Sequence, residues 1–275
     1  MNDLISLFDY LFFRNAVIAT ILTGILAAMT GTYIVSRKIV FISGGITHAS
    51  FGGIGMAYYL GLNPFLGAAT FSILSALGVE WISNKAKIRE DSAIAILWSF
   101  GMAIGIIFVF LTPGYTPNLM SFLFGSILSV GTADLWMVAA LAAVTALFMT
   151  VFYRPVVYSA FDPEFSKTMG VRVNFYRYAM SILIACSIVI SIRTMGIILV
   201  LSLFTIPQST AMLFTKEFHK IIFLSIIFGI AGSLLGLFSS YAMNIPSGAS
   251  IIFGLTALYF FFKAVVVIWR FVQKQ

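Results

Sequence analysis

A histidine, His48, lies inside the apolar and glycine-rich stretch ISGGITHASFGGIGMA of residues 42–57, in a chain that has two histidines in all. An imidazole nitrogen can bind a divalent transition metal or a polar substrate, but a buried imidazole can equally be a hydrogen-bonded packing residue. Helical spacing would place His48 on one face with Gly44, Gly52 and Met56. A face so nearly free of side chains suits a narrow conduit and suits a close helix contact equally well.

A proline interrupts the apolar stretch MGIILVLSLFTIPQSTAMLF of residues 195–214 and is followed at once by polar side chains. Pro207 lacks a backbone donor, so a carbonyl one turn earlier is freed close to Gln208, Ser209 and Thr210. Interrupted helices line the path of many transporters, although a simple kink sealed by the hydroxyls would give the same pattern. The candidates for lining a path are Ser50, Met56, Gln208 and Ser209.

The longest predicted loop, RPVVYSAFDPEFSKTMGVRVNFYR of residues 154–177, contains the signals of a short helix. Asp162 and the proline after it mark a helix start, Glu164 lies in the first turn, and Gly170 marks the stop. Phe161 and a second phenylalanine one turn later give this helix an apolar side. An amphipathic helix of this kind suits docking into a groove of a partner protein, or lying on the surface of a bilayer.

Motifs that carry out chemistry in common enzyme classes are missing from the sequence, including Walker A, HExxH, GxSxG and the dinucleotide fingerprint. Carriers driven by protons or sodium usually bury a carboxylate in mid-membrane, whereas Glu80 and Asp134 fall near the predicted ends of apolar stretches. The single cysteine, Cys186, excludes a disulfide framework and a cysteine-based metal site. The chain itself is therefore predicted not to be an enzyme and to bind no cofactor.

Membrane-spanning helices must position these groups, because 61% of the residues are hydrophobic, 9% are charged and the mean hydropathy is +1.06. A β-barrel would need alternating polar residues, so the fold class is predicted to be all-α, a polytopic transmembrane helical bundle. About nine spans are expected at about 20 residues each: 14–35, 42–60, 64–83, 92–111, 134–153, 176–192, 195–213, 221–243 and 248–270. Residues 119–130 form an apolar segment too short to cross, which predicts a re-entrant or interfacial helix.

Basic residues such as Arg37, Lys85 and Arg154 follow the odd-numbered spans, whereas the loops after spans two, four and eight have none. The positive-inside rule then predicts an N-terminus outside and a C-terminus in the cytoplasm. Arg193 stands alone in a tight turn between spans six and seven, which leaves an eight-span alternative with a broken pair of short helices. The same distribution accounts for the net charge of +7, so no nucleic-acid partner is predicted.

Four segments, in this order, resemble the membrane permease of ATP-binding-cassette importers for divalent metals (the ABC-3 type), the family that serves zinc, manganese and ferrous iron. They are VFISGGITHASFGGIGMAYYLGLNPFLGA, AFDPEFSKTMGV, MGIILVLSLFTIPQSTAMLF and YAMNIPSGASIIF. The resemblance runs over most of the chain, from about residue 14 to residue 265.

This resemblance implies a single transmembrane permease domain over residues 1–275 that works as a homodimer. It also implies two cytoplasmic ATPase subunits, which would use the ATP, and an external metal-binding protein that delivers the cargo. The loop at 160–173 would be the coupling helix that fits the ATPase. His48 would be a contact on the path of the metal. The matching positions of the coupling helix are Phe161, Asp162, Glu164 and Gly170.

The chain departs from the family pattern at Gly44, where an aspartate one turn before the histidine is expected. An aspartate and a histidine at i and i+4 could bind a divalent cation together, and here the hard oxygen is missing. Three explanations are open: Asp134, Ser50 or Thr47 supplies the oxygen, transit is deliberately weak, or the substrate differs. A nitrogen ligand without a carboxylate tilts the expectation slightly towards zinc or ferrous iron over manganese.

The leading hypothesis is therefore a permease that translocates a divalent metal, zinc being slightly preferred, across the cytoplasmic membrane. The alternative of another class is a secondary carrier for a small polar solute, which would transport without an ATPase. A third hypothesis is a membrane scaffold that transports nothing.

Overall fold

The computed structural model describes residues 9–113 and 127–273, and every regular element in those two ranges is helical. The all-α prediction is therefore confirmed for the described chain. In chain order the α-helices are α1 Leu11–Ser36, α2 Phe41–Tyr59, α3 Pro64–Ala86, α4 Glu90–Leu111, α5 Thr132–Val151, α6 Tyr153–Phe161, α7 Pro163–Thr168, α8 Val173–Met195, α9 Ile197–Leu203, α10 Ile206–Ala211, α11 Phe218–Met243 and α12 Ser247–Val272. A short 3-10 helix at Ile127–Ser129 precedes α5.

Several helix boundaries follow local sequence signals. Asn63 caps α3, since its side-chain oxygen accepts a hydrogen bond from the backbone N–H of Phe65 at 2.9 Å, and Pro64 occupies the first helical position. At the other end of α3, Lys87 adopts a left-handed conformation with φ 53°. These signals fix where the chain turns back and so set the antiparallel order of α2, α3 and α4.

The expected count of about nine spans is not supported, because seven helices in the described chain are both long and apolar enough to cross a membrane. Those seven are α1, α3, α4, α5, α8, α11 and α12. Helix α2 coincides with the predicted span 42–60 and, at 19 residues, extends about 28 Å. Its many Gly, Ser and Thr residues, together with His48, make it less apolar than the other seven.

The predicted span 195–213 is not one helix but two short ones, α9 and α10, of seven and six residues. Gly196, with φ 82°, separates α9 from α8, a conformation that favours glycine. Pro207 lies in the first turn of α10 and ends the regular hydrogen bonding of α9. Neither piece alone is long enough to cross, which accounts for one of the two missing spans; the other is α2.

The predicted re-entrant segment at 119–130 lies largely outside the described residues. Of that segment, the 3-10 helix Ile127–Ser129 and Val130 are described, and both Ile127 and Val130 are buried.

The core lies along α1 and α8, whose large side chains Tyr33, Ile34, Met180 and Ile184 are fully buried. Helices α4, α5 and α12 surround this core and present apolar side chains outward; Phe110, Trp136 and Phe253 are more than three-quarters exposed. Apolar surface of this extent suits contact with lipid rather than with water.

Helix α2 touches its neighbours through backbone atoms. A Cβ added at Gly52 would lie 2.7 Å from the carbonyl oxygen of Gly101 on α4, and Gly53 has no room because of the Gly67 carbonyl on α3. Close approach through small residues is a common way for helices to pack in lipid. Of the two roles considered for the face that carries His48, a conduit or a close helix contact, the structure supports the helix contact at Gly52.

Candidate transport site

His48 lies in the middle of α2 and is partly exposed. Its imidazole stacks on the indole ring of Trp98 from α4, with ring centroids 4.6 Å apart and an interplanar angle of 5°. Trp98 is also partly exposed. One face of the imidazole is therefore covered by an aromatic ring, and the residue keeps part of its surface exposed.

Gly44, one turn before His48, faces the same indole. A Cβ built at Gly44 would lie 3.4 Å from Leu201 Cδ1 and 3.7 Å from Trp98 Cζ3, which are ordinary van der Waals distances. At Gly45, by contrast, a Cβ would collide with Ile94. The absence of a carboxylate at position 44 is thus not forced by crowding, and Gly44, His48, Trp98 and Leu201 surround one site.

The hydroxyl groups beside His48 are buried and bonded within their own helix. Thr47 Oγ1 donates to the Ser43 carbonyl oxygen and Ser50 Oγ donates to the Thr47 carbonyl oxygen, both at 2.6 Å. Ser50 lies two residues beyond His48, which on a helix is a turn of about 200°. Ser50 accordingly lines a separate cavity of about 300 Å³, together with Phe65, Val189 and other side chains.

Asp134 is bound to a cation of the protein itself. Arg193 Nε lies 2.7 Å from Asp134 Oδ1, and Asp134 Oδ2 accepts a hydrogen bond from the Gly131 N–H at 3.2 Å. The Arg193 guanidinium also stacks over the ring of Phe65, 4.8 Å from its centroid, and lines the cavity that Ser50 lines. Asp134 therefore supplies its oxygen to an arginine and to a helix N-terminus in this conformation.

Met56, Gln208 and Ser209 occupy three different environments. Met56 lines a groove of about 400 Å³ with side chains of α3 such as Leu66 and Phe71. Ser209 is partly exposed on α10. The structure therefore does not bring the four path-lining candidates together around His48.

Gln208 is fully buried and holds the broken helix together. Its Nε2 donates to the Leu203 carbonyl at 3.2 Å and to the Ala27 carbonyl of α1 at 2.8 Å. Leu203 is four residues before Pro207, so its carbonyl is the one that the proline leaves without a helical partner. The break between α9 and α10 is thus bridged by the amide side chain of Gln208. From the sequence, this residue was expected to line the path.

A buried network of charges, which the sequence analysis missed, joins four helix ends. Glu80 of α3 accepts from Arg37 Nη1 at 2.6 Å, from Arg177 Nε at 3.0 Å and from Ser181 Oγ at 2.9 Å. Glu90, the first residue of α4, accepts from Arg37 Nη2 at 2.5 Å and from Arg177 Nη2. We call Arg37, Glu80, Glu90 and Arg177 the charge network; it contains two cations and two anions.

Arg37, just beyond the end of α1, has an exposed side-chain fraction of 5%. Burial alone would lower the pKa of its guanidinium, but Tyr33, Glu80 and Glu90 raise this pKa above its usual range. Arg37 therefore stays protonated at every pH at which the protein is folded. The sequence carries no local signal for this network, because its four members come from separate stretches of the chain.

The short helix of the longest loop forms as its sequence predicts. Asp162 Oδ1 accepts from the Phe165 N–H at 2.9 Å, and Pro163 begins α7. Gly170, with φ 78°, ends it, while the Val171 N–H bonds to the Ser166 carbonyl at 3.0 Å.

Three large apolar side chains of this segment are open. Phe161, Phe165 and Met169, spaced four residues apart, have exposed fractions of 54%, 57% and 68%. Glu164 instead pairs with Lys167 at 2.7 Å on the polar side. The edge of the Phe161 ring meets Phe218 at the start of α11, with centroids 6.4 Å apart. We call Phe161, Phe165 and Met169 the exposed stripe.

Metal binding by this chain rests on few side chains. Within residues 9–113 and 127–273, no group of three or more His, Cys, Asp or Glu side chains is arranged to hold a metal ion. The site around His48 offers one imidazole and an aromatic face. Such a site suits brief contact with a passing cation better than storage of it.

Comparison with known proteins gives consistent matches along nearly the whole chain. The sequence model of the ABC 3 transport family matches residues 9–266. The manganese transport system membrane protein MntC of Listeria monocytogenes is 34% identical over 255 residues, which are 93% of this chain and 91% of the relative. The manganese import system permease protein ScaB of Streptococcus gordonii is 34% identical over 247 residues, with 90% and 88% covered.

Among solved structures, PsaBC from Streptococcus pneumoniae in complex with Fab contains a similar chain. The two chains superpose with a TM-score of 0.81 at 32% sequence identity, and the match covers 94% of this chain and 95% of that one.

Proposed function

Because the chain belongs to the ABC 3 transport family, we propose that it is the permease of an ATP-binding-cassette importer for a divalent transition metal. The observation that carries the proposal is the match at a TM-score of 0.81 over 94% of the chain to a PsaBC subunit. The relatives named as manganese transport proteins supply the substrate class. The partly exposed imidazole of His48 supplies a ligand of the right chemistry.

The identity of the metal is where the relatives and the site differ. The names of the relatives favour Mn²⁺. The site around His48 lacks the carboxylate that a hard cation prefers, and one nitrogen donor favours Zn²⁺ or Fe²⁺. Uptake of radioactive ⁵⁴Mn²⁺, ⁶⁵Zn²⁺ and ⁵⁵Fe²⁺, each measured alone and in competition, separates these substrates, because the cargo accumulates inside, whereas a metal that only binds lowers the uptake of the others without accumulating itself.

The proposed assembly is a homodimer of this chain with two ATPase subunits and an external metal-binding protein. The exposed stripe supports the ATPase contact, since three large, exposed apolar side chains in and beside a short capped helix suit insertion into a protein groove. The basic loops support an orientation with this stripe and the C-terminus in the cytoplasm and the N-terminus outside. ATP is then hydrolysed by the partner subunits.

Transport by the reconstituted complex tests the role of His48. In proteoliposomes that contain the chain, its ATPase and the metal-binding protein, His48→Ala is expected to lower metal uptake at least about tenfold, because the proposed nitrogen ligand is lost. His219→Ala is the matched control, since His219 is exposed at the start of α11 and faces Tyr153 and Glu217. Equal uptake by the two variants would remove His48 from the path.

Docking of the ATPase tests the exposed stripe. Phe165→Asp places a charge in the centre of the stripe, and the ATPase is expected to dissociate during size-exclusion chromatography. Phe175→Asp is the control, because Phe175 is nearly as exposed, at 56%, but lies in the first turn of α8, outside the stripe. A complex that survives Phe165→Asp would contradict the docking role. Metal uptake by the chain alone, driven by a proton or sodium gradient, would instead establish the secondary carrier.

A further inference from the structure

We propose that Trp98 is the positioning residue of the transport site and that its indole stabilises His48 when the imidazole carries a divalent metal. This inference rests on the proposed function and deepens it. The observation behind it is the parallel stack of the two rings, 4.6 Å apart and 5° from coplanar.

The stack fixes the direction in which a metal can reach the histidine. An imidazole nitrogen binds a metal in the plane of its ring, through its lone pair. Because Trp98 covers one ring face, rotation of the imidazole out of the stacked plane is blocked on that side, which leaves the ring plane as the direction of approach. A cation therefore approaches along the edge of the stack, across the partly exposed surface of both residues.

The indole also supplies negative potential where a carboxylate is missing. Binding of a divalent metal transfers positive charge to the imidazole, and the face of tryptophan is the best aromatic partner for such charge. A cation–π contact of this type changes affinity by about 2- to 30-fold, depending on how dry the site is. An aspartate would bind more tightly, whereas the indole attracts the loaded ring without holding the metal itself.

Position 44 lies over the same indole. A Cβ at Gly44 would meet Trp98 Cζ3 at 3.7 Å and Cη2 at 3.8 Å, so the tryptophan lies against both helical turns of the site. Gly44, where the family pattern has an aspartate, and the aromatic ring that stacks on His48 are thus neighbours. We infer that Trp98 substitutes electrostatically for the absent acid and leaves a weak, fast-releasing site.

A binding measurement tests this directly in the full chain. Replacement of Trp81, Trp136 and Trp269 by phenylalanine leaves Trp98 as the single tryptophan. In lipid nanodiscs, titration with Zn²⁺ and Mn²⁺ is expected to change the fluorescence of Trp98 in a saturable manner, and His48→Ala is expected to abolish the change. A fluorescence that is insensitive to both metals, in protein whose wild-type form transports them, would overturn the inference.

Affinity variants provide the second arm. With ⁶⁵Zn²⁺ in equilibrium dialysis, Trp98→Leu is expected to weaken binding by about 2- to 30-fold, while Trp98→Phe recovers part of the loss because the stack is kept. Gly44→Asp is expected to raise affinity more in Trp98→Leu than in the wild-type chain, because the carboxylate then replaces lost negative potential, whereas equal gains would indicate a purely structural role of the tryptophan. Trp136→Leu is the matched control, because Trp136 is 77% exposed on α5.

The outcomes separate this inference from the proposed function. If His48→Ala abolishes binding and uptake while Trp98→Leu binds like Trp136→Leu, only the role of Trp98 is refuted. If His48→Ala leaves both binding and uptake intact, the transport site is placed wrongly and the inference is refuted with it. If Trp98→Leu is too unstable to purify, the fluorescence titration of the single-tryptophan protein still decides the question.

Discussion

Substitution of Glu80 by glutamine should destabilise the protein strongly, because it removes one of two anions from the charge network. Glu80 has 1% of its side chain exposed and contacts Arg37 at 2.6 Å, Arg177 at 3.0 Å and Ser181 at 2.9 Å. Glutamine keeps the shape and one acceptor oxygen. Its amide N–H groups, however, face an arginine N–H, and two buried guanidinium groups are left with the single carboxylate of Glu90.

The size of the effect follows from the burial. Removing one partner of a buried ion pair costs about 3–5 kcal/mol, because an uncompensated charge stays in a medium of low dielectric constant. Glu90, with 26% of its side chain exposed, still neutralises part of the charge, so we expect a loss of about 3 kcal/mol. At about 2–4 °C for each kcal/mol in a chain of this size, Tm should fall by about 6–12 °C.

Thermal unfolding in detergent, followed by intrinsic fluorescence, measures this loss. Glu164→Gln is the control, since it breaks an exposed pair with Lys167 on α7 and should cost less than about 1 kcal/mol. The double variant Glu80→Gln/Arg177→Gln restores neutrality to the network and should be less destabilised than the sum of the two single variants, by about 1–3 kcal/mol. Strictly additive losses, or a Glu80→Gln loss no larger than that of the control, would refute the electrostatic reasoning.

Three further predictions concern single positions. Gly44→Asp should fold, because a Cβ there meets neighbours no closer than 3.4 Å, and it should lower the KM for Mn²⁺ uptake, because it adds a carboxylate beside His48. Gly45→Asp should prevent folding, because its Cβ would collide with Ile94; the yield of folded protein after expression measures the difference. Gln208→Leu should lower the stability by about 2–4 kcal/mol in thermal unfolding, because two backbone carbonyls lose their donor. Gly53→Leu should prevent folding, since its backbone faces another helix, while Gly170→Ala, in open space with φ 78°, should cost only about 1 kcal/mol in the same assay.

Local structure was predictable wherever one residue type decides the backbone conformation. The cap of Asp162 on α7 and the stop at Gly170 follow from side-chain oxygen geometry and from the left-handed φ that glycine accepts. The all-helical class was predictable for a different reason. The composition indicates a membrane protein, and in lipid a backbone can satisfy its hydrogen bonds in few ways other than a helix.

The broken helix was only partly predictable. Hydropathy over residues 195–213 is continuous, so a window of about 20 residues indicates a span. Pro207 signalled an interruption, but the sequence does not say whether a kink or a break results. That outcome depends on Gln208, whose side-chain amide donates hydrogen bonds to the Leu203 carbonyl and to the carbonyl of Ala27, 181 residues away in the chain.

The surroundings of His48 could not be predicted, because they come from other helices. Trp98 is 50 residues further along the sequence, and no local pattern relates it to the histidine. The charge network has the same character: Arg37 and Arg177 are 43 and 97 residues from Glu80. In the sequence each of these charges is an ordinary basic or acidic residue near a helix end, and only tertiary contact gives it a buried partner.

The glycine contacts of α2 limit how the site can move. This helix meets α3 and α4 through bare backbone at Gly52, Gly53 and Gly55, which face Gly101, Gly67 and Gly105. Helices in contact at this distance cannot roll or slide far without a backbone collision. We therefore expect α2, α3 and α4 to move together as one rigid unit. His48 on α2 and Trp98 on α4 would then move together and keep their ring stack. Leu201 of α9, by contrast, meets Gly44 at an ordinary van der Waals distance, 3.4 Å from a built Cβ, so we expect the broken helix, rather than α3 or α4, to be the element that can move relative to the site.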